Sequence, residues 1–362
     1  MDPIASTLAR AALWALAGFM AALFMLNRRL ILWPDSRHKV AVIACVVAVL
    51  AGGAALAGLA LPARPWALVP ACVLMLAAAG EFRRFLIRRA HAGSPPLDTR
   101  PHQVPYLRPL STTDIVAHAY AISSELWRGA PLRIVHLSDL HIGNALPAAY
   151  FISAMDLALD AKPDLAFITG DFVSRPGSAA MLPGILRPIG RLGTFAVLGN
   201  HDYWTGAETV RAALETAGIV IVSGKSVRLD ADGRAVLISG TDYPWGGKQW
   251  LEPQPEAGCL SLVLSHTPDN IYRLAGRAAH AVFCGHCHAG QVRLPLLGPL
   301  VVPSIYGRRF DHGHFVVRGT HLFVSGGVGA SNPPFRLYCR PDIFVVDVTA
   351  QTPARLRNPA LA

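Results

Sequence analysis

Val282–Val292, VFCGHCHAGQV, opens as an apolar run and then crowds two histidines, two cysteines and two glycines together. Taken alone it admits three readings: a Cys/His metal site, a redox-active Cys-x-x-Cys pair, or a turn. Its relatives along the chain narrow the choice of fold. RIVHLSD (Arg133–Asp139), LAFITGD (Leu165–Asp171), FAVLGNHD (Phe195–Asp202) and SLVLSHTPD (Ser261–Asp269) repeat one pattern, a short apolar run that stops at Asp, Asn or His. Between the first two, Pro147–Ala161 has a helical pattern, and Ala207–Ala217 opens another helix. Strands alternating with helices predict an α/β domain whose buried strands are nearly continuous apolar runs.

Five strand ends therefore present polar groups: Asp139 and His141; Asp171; Asn200, His201 and Asp202; His266; and His286 with His288. In α/β sheets ligands gather at the carboxyl ends of strands. One Asp after a strand is ordinarily a turn former. Imidazoles, carboxylates and an amide gathered at five such ends are hard to explain by turns.

The rest of the chain differs in kind. Of its 362 residues 52% are hydrophobic and 15% charged, and the apolar excess lies before about residue 90. Residues 1–110 carry 12 Lys/Arg against 4 Asp/Glu, and the remainder 21 against 19. These cations flank apolar stretches without interleaved aromatics, which fits membrane topology better than nucleic acid. Ala11–Leu26, Val40–Leu61 and Trp66–Gly80 are the candidate spans, the third short and interrupted by Pro70. Arg28, Arg29, Arg37 and Lys39 between the first two, and Arg83, Arg84, Arg88 and Arg89 after the third, predict three crossings with everything beyond residue 81 in the cytoplasm. FMLNRRLILW follows the first apolar core where small residues should mark a cleavage site, which argues for an uncleaved anchor. HAGSPPLDTRPHQVP then reads as a linker and Thr113–Arg128 as one helix. The expected boundaries are 1–90 for a transmembrane region of about three spans, 91–130 for linker and helix, 131–350 for the α/β domain, and 351–362 for a tail.

In order, SDLHIG (Ser138–Gly143), TGDFV (Thr169–Val173), GNHDY (Gly199–Tyr203), SHTPD (Ser265–Asp269) and GHCHAGQV (Gly285–Val292) resemble the motif series of calcineurin-like metallophosphoesterases. The resemblance covers about residues 131–348 and looks nearest to the membrane-associated bacterial branch of YkuE- and YaeI-like phosphodiesterases. It implies a four-layer αββα sandwich holding two divalent transition-metal ions (Mn, Zn or Fe). By motif position, Asp139, His141, Asp171 and His288 would hold one ion, and Asp171, Asn200, His266 and His286 the second, with Asp171 bridging. Two close cations can activate water and stabilise a leaving oxygen; neutral imidazoles and an amide complete the shells without cancelling all of their charge. His201 would face the scissile phosphate, to protonate the leaving group or steady transition-state charge, with a structural histidine held by Asp202 as the alternative.

On this reading His286 and His288 are the working part of the opening stretch, and Gly285 permits a tight turn beside them. The family usually has Thr and Gly where Cys287 and Ala289 stand, which leaves a thiolate ligand or a Cys284–Cys287 redox pair as minor alternatives. Arg308 and Arg309, with His312 and His314, could meet substrate phosphate or form a solvated basic loop. SGGVGAS (Ser325–Ser331) lacks dinucleotide-fingerprint spacing and reads as a turn under the site.

GNHD, and Ser174 in place of the phosphatase Asp, favour diester or diphosphate chemistry over phosphoprotein hydrolysis. The anchor favours a lipid-linked substrate, for which the resemblance offers UDP-diacylglucosamine as one candidate. Leu296 and Leu297, in the proline-rich LPLLGPLVVPSIYG, are the residues expected to meet its acyl chains or the bilayer. The expectation is thus a hydrolase of the bacterial cytoplasmic membrane, with its catalytic domain in the cytoplasm and no nucleic-acid partner. The alternative is a metal-binding regulatory or scaffold protein without turnover.

Overall fold

A computed structural model describes residues 3–28, 37–61, 68–100, 109–247, 258–277, 279–295 and 297–350. The chain forms two compact units, Met1–Ala90 with Leu300–Arg309, and His91–Pro299 with Phe310–Ala362.

The first unit is helical. α1 (Pro3–Arg28) packs on a second helix that runs as α2 (Arg37–Val47), a π-helical turn at Ala48–Gly52, and α3 (Gly53–Ala60). A side chain at Gly18 would collide with the Leu50 carbonyl, so glycine is what allows this close approach. Ile4–Asn27 and His38–Ala60 are long and apolar enough to cross a membrane. α4 (Leu68–Ala90) is different. Its apolar part, Leu68–Gly80, spans only about 20 Å at helical rise, and the rest mixes Glu81 and four arginines with Phe82, Phe85, Leu86 and Ile87. The segment Leu300–Arg309 is bound within this unit. The Asn27 side chain donates to the Leu300 carbonyl (2.9 Å) and accepts from the Val302 amide (2.9 Å), while Arg88 donates to the Arg308 and Arg309 carbonyls.

The second unit is an α/β fold with two mixed sheets. The seven-stranded sheet has the order β1 (Asp98–Arg100), β2 (Val116–Ser123), β15 (Asp342–Thr349), β3 (Leu132–Leu137), β4 (Leu165–Thr169), β5 (Gly193–Val197), β6 (Val220–Ile221). The six-stranded sheet runs β13 (Gly313–Val317), β14 (Thr320–Val324), β10 (Ala281–Cys284), β9 (Leu260–Ser265), β8 (Ala235–Thr241), β7 (Ser226–Asp230). A small ribbon pairs β11 (Arg293–Leu294) with β12 (Gly298–Pro299).

The sheets share one core, in which Phe167, Phe195, Phe344 and Tyr120 of the first meet Phe283 and Phe323 of the second. Ring centroids of Phe167 and Phe283 lie 5.0 Å apart and those of Phe283 and Phe323 5.3 Å. Each such pair contributes about 0.5–1.5 kcal/mol beyond its area. The other face of the first sheet is covered by α5 (Ala148–Asp160), α6 (Leu182–Ile185) and α7 (Asn200–Thr216); α8 (Ile271–Leu274) follows β9. Because β3, β4 and β5 are mutually parallel, as are β8, β9 and β10, both sheets carry their carboxyl ends to one region.

Three expectations need correction. Thr113–Arg128 is not a helix, because Val116–Ser123 forms β2, parallel to β15 over eight residue pairs. Ala117, Ala119 and Ala121 gave it a helical look, but Val116, His118, Tyr120 and Ile122 alternate with them at the strand period, and pairing with β15 overrides local propensity. The linker also packs: Gly93 donates to the His314 carbonyl at the β13 edge, and β1 pairs with β2. Finally, the helix expected from Ala207 begins at Asn200, bending at Gly206 (φ +126°), so His201 and Asp202 lie in its first turn.

Candidate metal centre

Asp139 follows β3 by two residues and Asp171 follows β4 by two; Asn200 opens α7 after β5, His266 follows β9, and His286 follows β10. The backbone is strained there. Asp139 (φ +52°), His141 (+52°), Asp171 (+55°), His286 (+66°) and His288 (+49°) all adopt the left-handed conformation, at about 1–3 kcal/mol each. Compensating hydrogen bonds hold them. The Asp139 amide donates to the Gly170 carbonyl (3.0 Å), that of His141 to the Asp171 carbonyl (2.9 Å), and that of His286 to the Asp139 carboxylate (2.9 Å). Gly285 has a different role from the tight turn expected of it. A Cβ there would lie 1.8 Å from Ser138 Oγ and 2.1 Å from Asp139 Oδ2, so glycine lets β10 close onto the loop after β3.

These loops bring two buried donor groups together, Asp139, His141, Asp171 and His288, and Asp171, His266 and His286. In the first, the Nε2 atoms of His141 and His288 lie 3.0 Å apart and His288 Nε2 lies 3.4 Å from Asp139 Oδ1. In the second, His266 Nε2 is 3.1 Å from His286 Nδ1 and 3.0 Å from Asn200 Oδ1. Asp171 Oδ2 lies 3.5 Å from His141 Nε2 and 3.4 Å from His266 Nε2. Ligand atoms about 2.0–2.2 Å from a shared ion lie roughly 3.0–3.5 Å from one another, so the donor set fits cations.

The protonation pattern agrees. Burial would raise Asp171, yet the imidazoles of His266, His201 and His141 outweigh it and hold this carboxyl well below its ordinary range. His266 rises to about 9, because Asp171, Asp139 and the Thr169 carbonyl overcome its burial. Burial lowers His141 to about 3, and His286 and His288 well below the usual imidazole range. Burial also lifts Asp139 to about 7.

Neighbours that the sequence did not advertise orient the rings. The Thr169 carbonyl accepts from His266 Nδ1 (2.7 Å) and Ser174 Oγ meets His141 Nδ1 (2.8 Å), leaving each Nε2 to face the centre. Asp202 does not hold His201. Its carboxylate accepts from the amides of Phe172 (2.9 Å), Val173 (3.2 Å) and Gly199 (2.9 Å), clamping the loop after β4 to the start of α7. His201 is half-buried, its amide donating to Asp171 Oδ1 (2.8 Å) and its ring edge-on to His141 at 4.6 Å. Trp204 lies 4.8 Å from the His201 ring and Trp245 5.1 Å from that of His286.

Ser325–Ser331 packs beneath, the Val328 and Gly329 amides donating to the Ser138 and Asp139 carbonyls. It is gripped by Arg336, fully buried, which donates to the carbonyls of Gly326 (2.7 Å), Gly327 (3.0 Å) and Gly329 (2.8 Å) and lies 3.4 Å from His288 Nδ1. Nothing in PPFRLYCR pointed to this. Cys284 and Cys287 are buried free thiols that burial pushes well above the ordinary range, so the opening stretch reaches the centre through its histidines.

The remaining candidates lie elsewhere. Arg308 and Arg309 belong to the helical unit, where Arg308 pairs with Glu81 and Arg309 lies over the Tyr306 ring (5.5 Å). His314 is buried against Phe323 and His312 pairs with Asp342 (2.7 Å), so neither forms a solvated basic loop. Leu296 falls outside the described residues, and Leu297 is 62% exposed.

Residues 132–290 match the family model described as calcineurin-like phosphoesterase. The phosphodiesterase YaeI of Escherichia coli is 30% identical over 241 residues, covering 65% of this chain and 88% of that protein. The uncharacterized metallophosphoesterase YkuE of Bacillus subtilis is 28% identical, covering 59% and 77%. A transmembrane protein with metallophosphoesterase domain from Danio rerio is 28% identical, covering 59% and 52%. With its buried Asp and His donors converging at the carboxyl ends of two sheets, the chain belongs to the calcineurin-like metallophosphoesterases and is a metal-dependent phosphohydrolase.

Proposed function

We propose that the chain is a membrane-anchored phosphodiesterase or diphosphatase of the four-layer αββα type. In this reading Asp139, His141, Asp171 and His288 hold one divalent transition-metal ion, and Asp171, Asn200, His266 and His286 hold a second. The supporting observation is Asp171, whose Oδ2 lies almost equally far from His141 of one set and His266 of the other. Imidazole, carboxylate and amide donors suit Mn²⁺, Zn²⁺ or Fe. Such ions, when bound, would supply Lewis acidity toward the phosphoryl oxygens and make water a better nucleophile.

The chain's own groups do the rest. Asp171 accepts the His201 amide, which seats the first turn of α7 against the centre. His201 then donates a proton to the departing oxygen, its ring held between His141 and Trp204. Asp202 keeps this turn in register with the loop after β4, and Thr169 and Ser174 keep the neighbouring imidazoles in the ligating tautomer. GNHD and the likeness to a protein named as a phosphodiesterase support diester or diphosphate chemistry. The apolar helical unit and the exposed Leu297 support a lipid-linked substrate such as UDP-diacylglucosamine. α4 is read as a third, short crossing whose arginines reach the interface.

The test uses full-length protein in detergent. Asp171→Ala should lose both ions, whereas His201→Ala should keep its metal and lose about 10²–10⁴ in turnover, most for esters with poor leaving groups. Full metal content in Asp171→Ala would overturn the assignment.

A further inference from the structure

His118, His312 and Asp342 take no part in the Asp171-centred cluster, yet they converge. Register pairs Phe344 with His118 and Asp342 with Val116, which puts His118 and Asp342 on one face of adjacent parallel strands. His312 comes from the turn before β13, and one donor atom from each of the three lies within 4.8 Å of the others.

Three features separate this group from an ordinary His–Asp contact. The ring centroids of His118 and His312 are 5.9 Å apart at 65°; two imidazoles sharing an ion at about 2.0 Å place their centroids roughly 5–6 Å apart. Thr99 Oγ1 lies 3.0 Å from His118 Nδ1, which leaves Nε2 as the ring's open donor, the outer partner that a ligating imidazole normally has. The Asp342 carboxylate is already fixed by Ser325 Oγ (2.7 Å) and the Gly326 amide (3.1 Å), with its second oxygen 2.7 Å from His312 Nε2.

We propose that His118, His312 and Asp342 form a separate site for one imidazole-preferring divalent ion, Zn²⁺ above all, with water completing the shell on the partly exposed His312 side. To act as a ligand His312 would carry its proton on Nδ1 instead of Nε2, leaving its Nε2, the His118 Nε2 and the Asp342 carboxylate as the donors that would hold the ion. The site is joined to the catalytic region by bonds already described. Asp342 holds Ser325 and Gly326, Arg336 grips the Gly326 carbonyl, and the Arg336 guanidinium lies against His288. An ion here stiffens the turn on which the first donor group rests.

The experiment is zinc stoichiometry on full-length protein in detergent, by equilibrium dialysis and elemental analysis, with melting temperatures recorded. His312→Ala and His118→Asn (whose amide can still reach Thr99) should each bind one Zn²⁺ fewer per chain than wild type. In an Asp171→Ala background one ion should remain, and His312→Ala added to it should leave none. Cu²⁺ bound to the Asp171→Ala protein should show coupling to two imidazole nitrogens by electron paramagnetic resonance, falling to one in the added His118→Asn. Equal stoichiometry in wild type, His312→Ala and His118→Asn would overturn the proposal and leave a plain His–Asp pair. The comparisons of His312→Ala and His118→Asn with wild type change only this site and stand or fall apart from the assignment of the Asp171 cluster; the Asp171→Ala background rests on that assignment.

Discussion

Replacing Arg336 by Met should destabilise the catalytic unit while leaving every proposed ligand side chain in place, although it removes the guanidinium that lies against His288. The side chain is fully buried and its guanidinium donates to three buried glycine carbonyls, at 2.7, 3.0 and 2.8 Å. Methionine roughly fills the volume but leaves the Gly326 and Gly329 carbonyls without a partner, at about 1–3 kcal/mol each, while the Gly327 carbonyl keeps the Asp342 amide (3.1 Å). Part of that loss is offset, since the guanidinium no longer has to be desolvated. A net cost of about 2–4 kcal/mol follows, and at about 2–4 °C per kcal/mol for a domain of this size the melting temperature should drop by roughly 4–16 °C. Arg336→Lys keeps the charge with fewer, less directional donors and should fall between. The assay is thermal unfolding of full-length protein in one detergent, stripped of metal and then reloaded. A shift below about 2 °C for Arg336→Met would refute the reasoning, because the carbonyls would then have been satisfied some other way.

Three further outcomes are expected. Ser174→Ala removes the hydroxyl that orients His141 Nδ1 and should weaken metal binding about 10- to 100-fold with little change in melting temperature, as measured by competition with a chromophoric chelator. Burial lowers His314 to about 4 and His321 to about 3. Above the unfolded value of about 6.5 both states are neutral, whereas at lower pH the unfolded chain takes up protons the folded one refuses. Stability should therefore fall from about pH 6.5 to 4, with a shallower slope in His321→Gln; equal slopes would remove His321 from the account. A fluorescent reporter fused after Leu110 should light in the cytoplasm, and an exported phosphatase fused there should stay inactive; the reverse pair would contradict three crossings.

The parts of the fold that could be read from the chain were those in which a buried strand is a continuous apolar run. β3, β4, β5, β9 and β10 announce themselves this way, and each stops at the Asp, Asn or His it delivers. β2 did not, because its alternate positions are alanines and the partner that makes it a strand, β15, lies more than 200 residues away. The donors of the candidate site were legible because their residue types are unusual at strand ends. The parts that Asp202, Ser174 and Arg336 play were not, since each acts on backbone groups or ring nitrogens supplied by a different loop. An arginine in PPFRLYCR looks like any surface cation until the three carbonyls around it are known.

Five candidate ligands stand in left-handed backbone, a conformation that Asn, Asp, His and Gly tolerate and that longer or β-branched residues resist. Two independent demands, a donor atom and a tolerable φ, thus select nearly the same short alphabet. Drift at Asp139 or Asp171 toward Asn or Gly would silence the centre while leaving the loops nearly undisturbed. A change to Glu, Thr or Cys, each able to bind a metal, would have to rebuild the loop first. The descent from enzyme to inert copy is therefore short in this scaffold, whereas the road to a differently furnished metal centre is long.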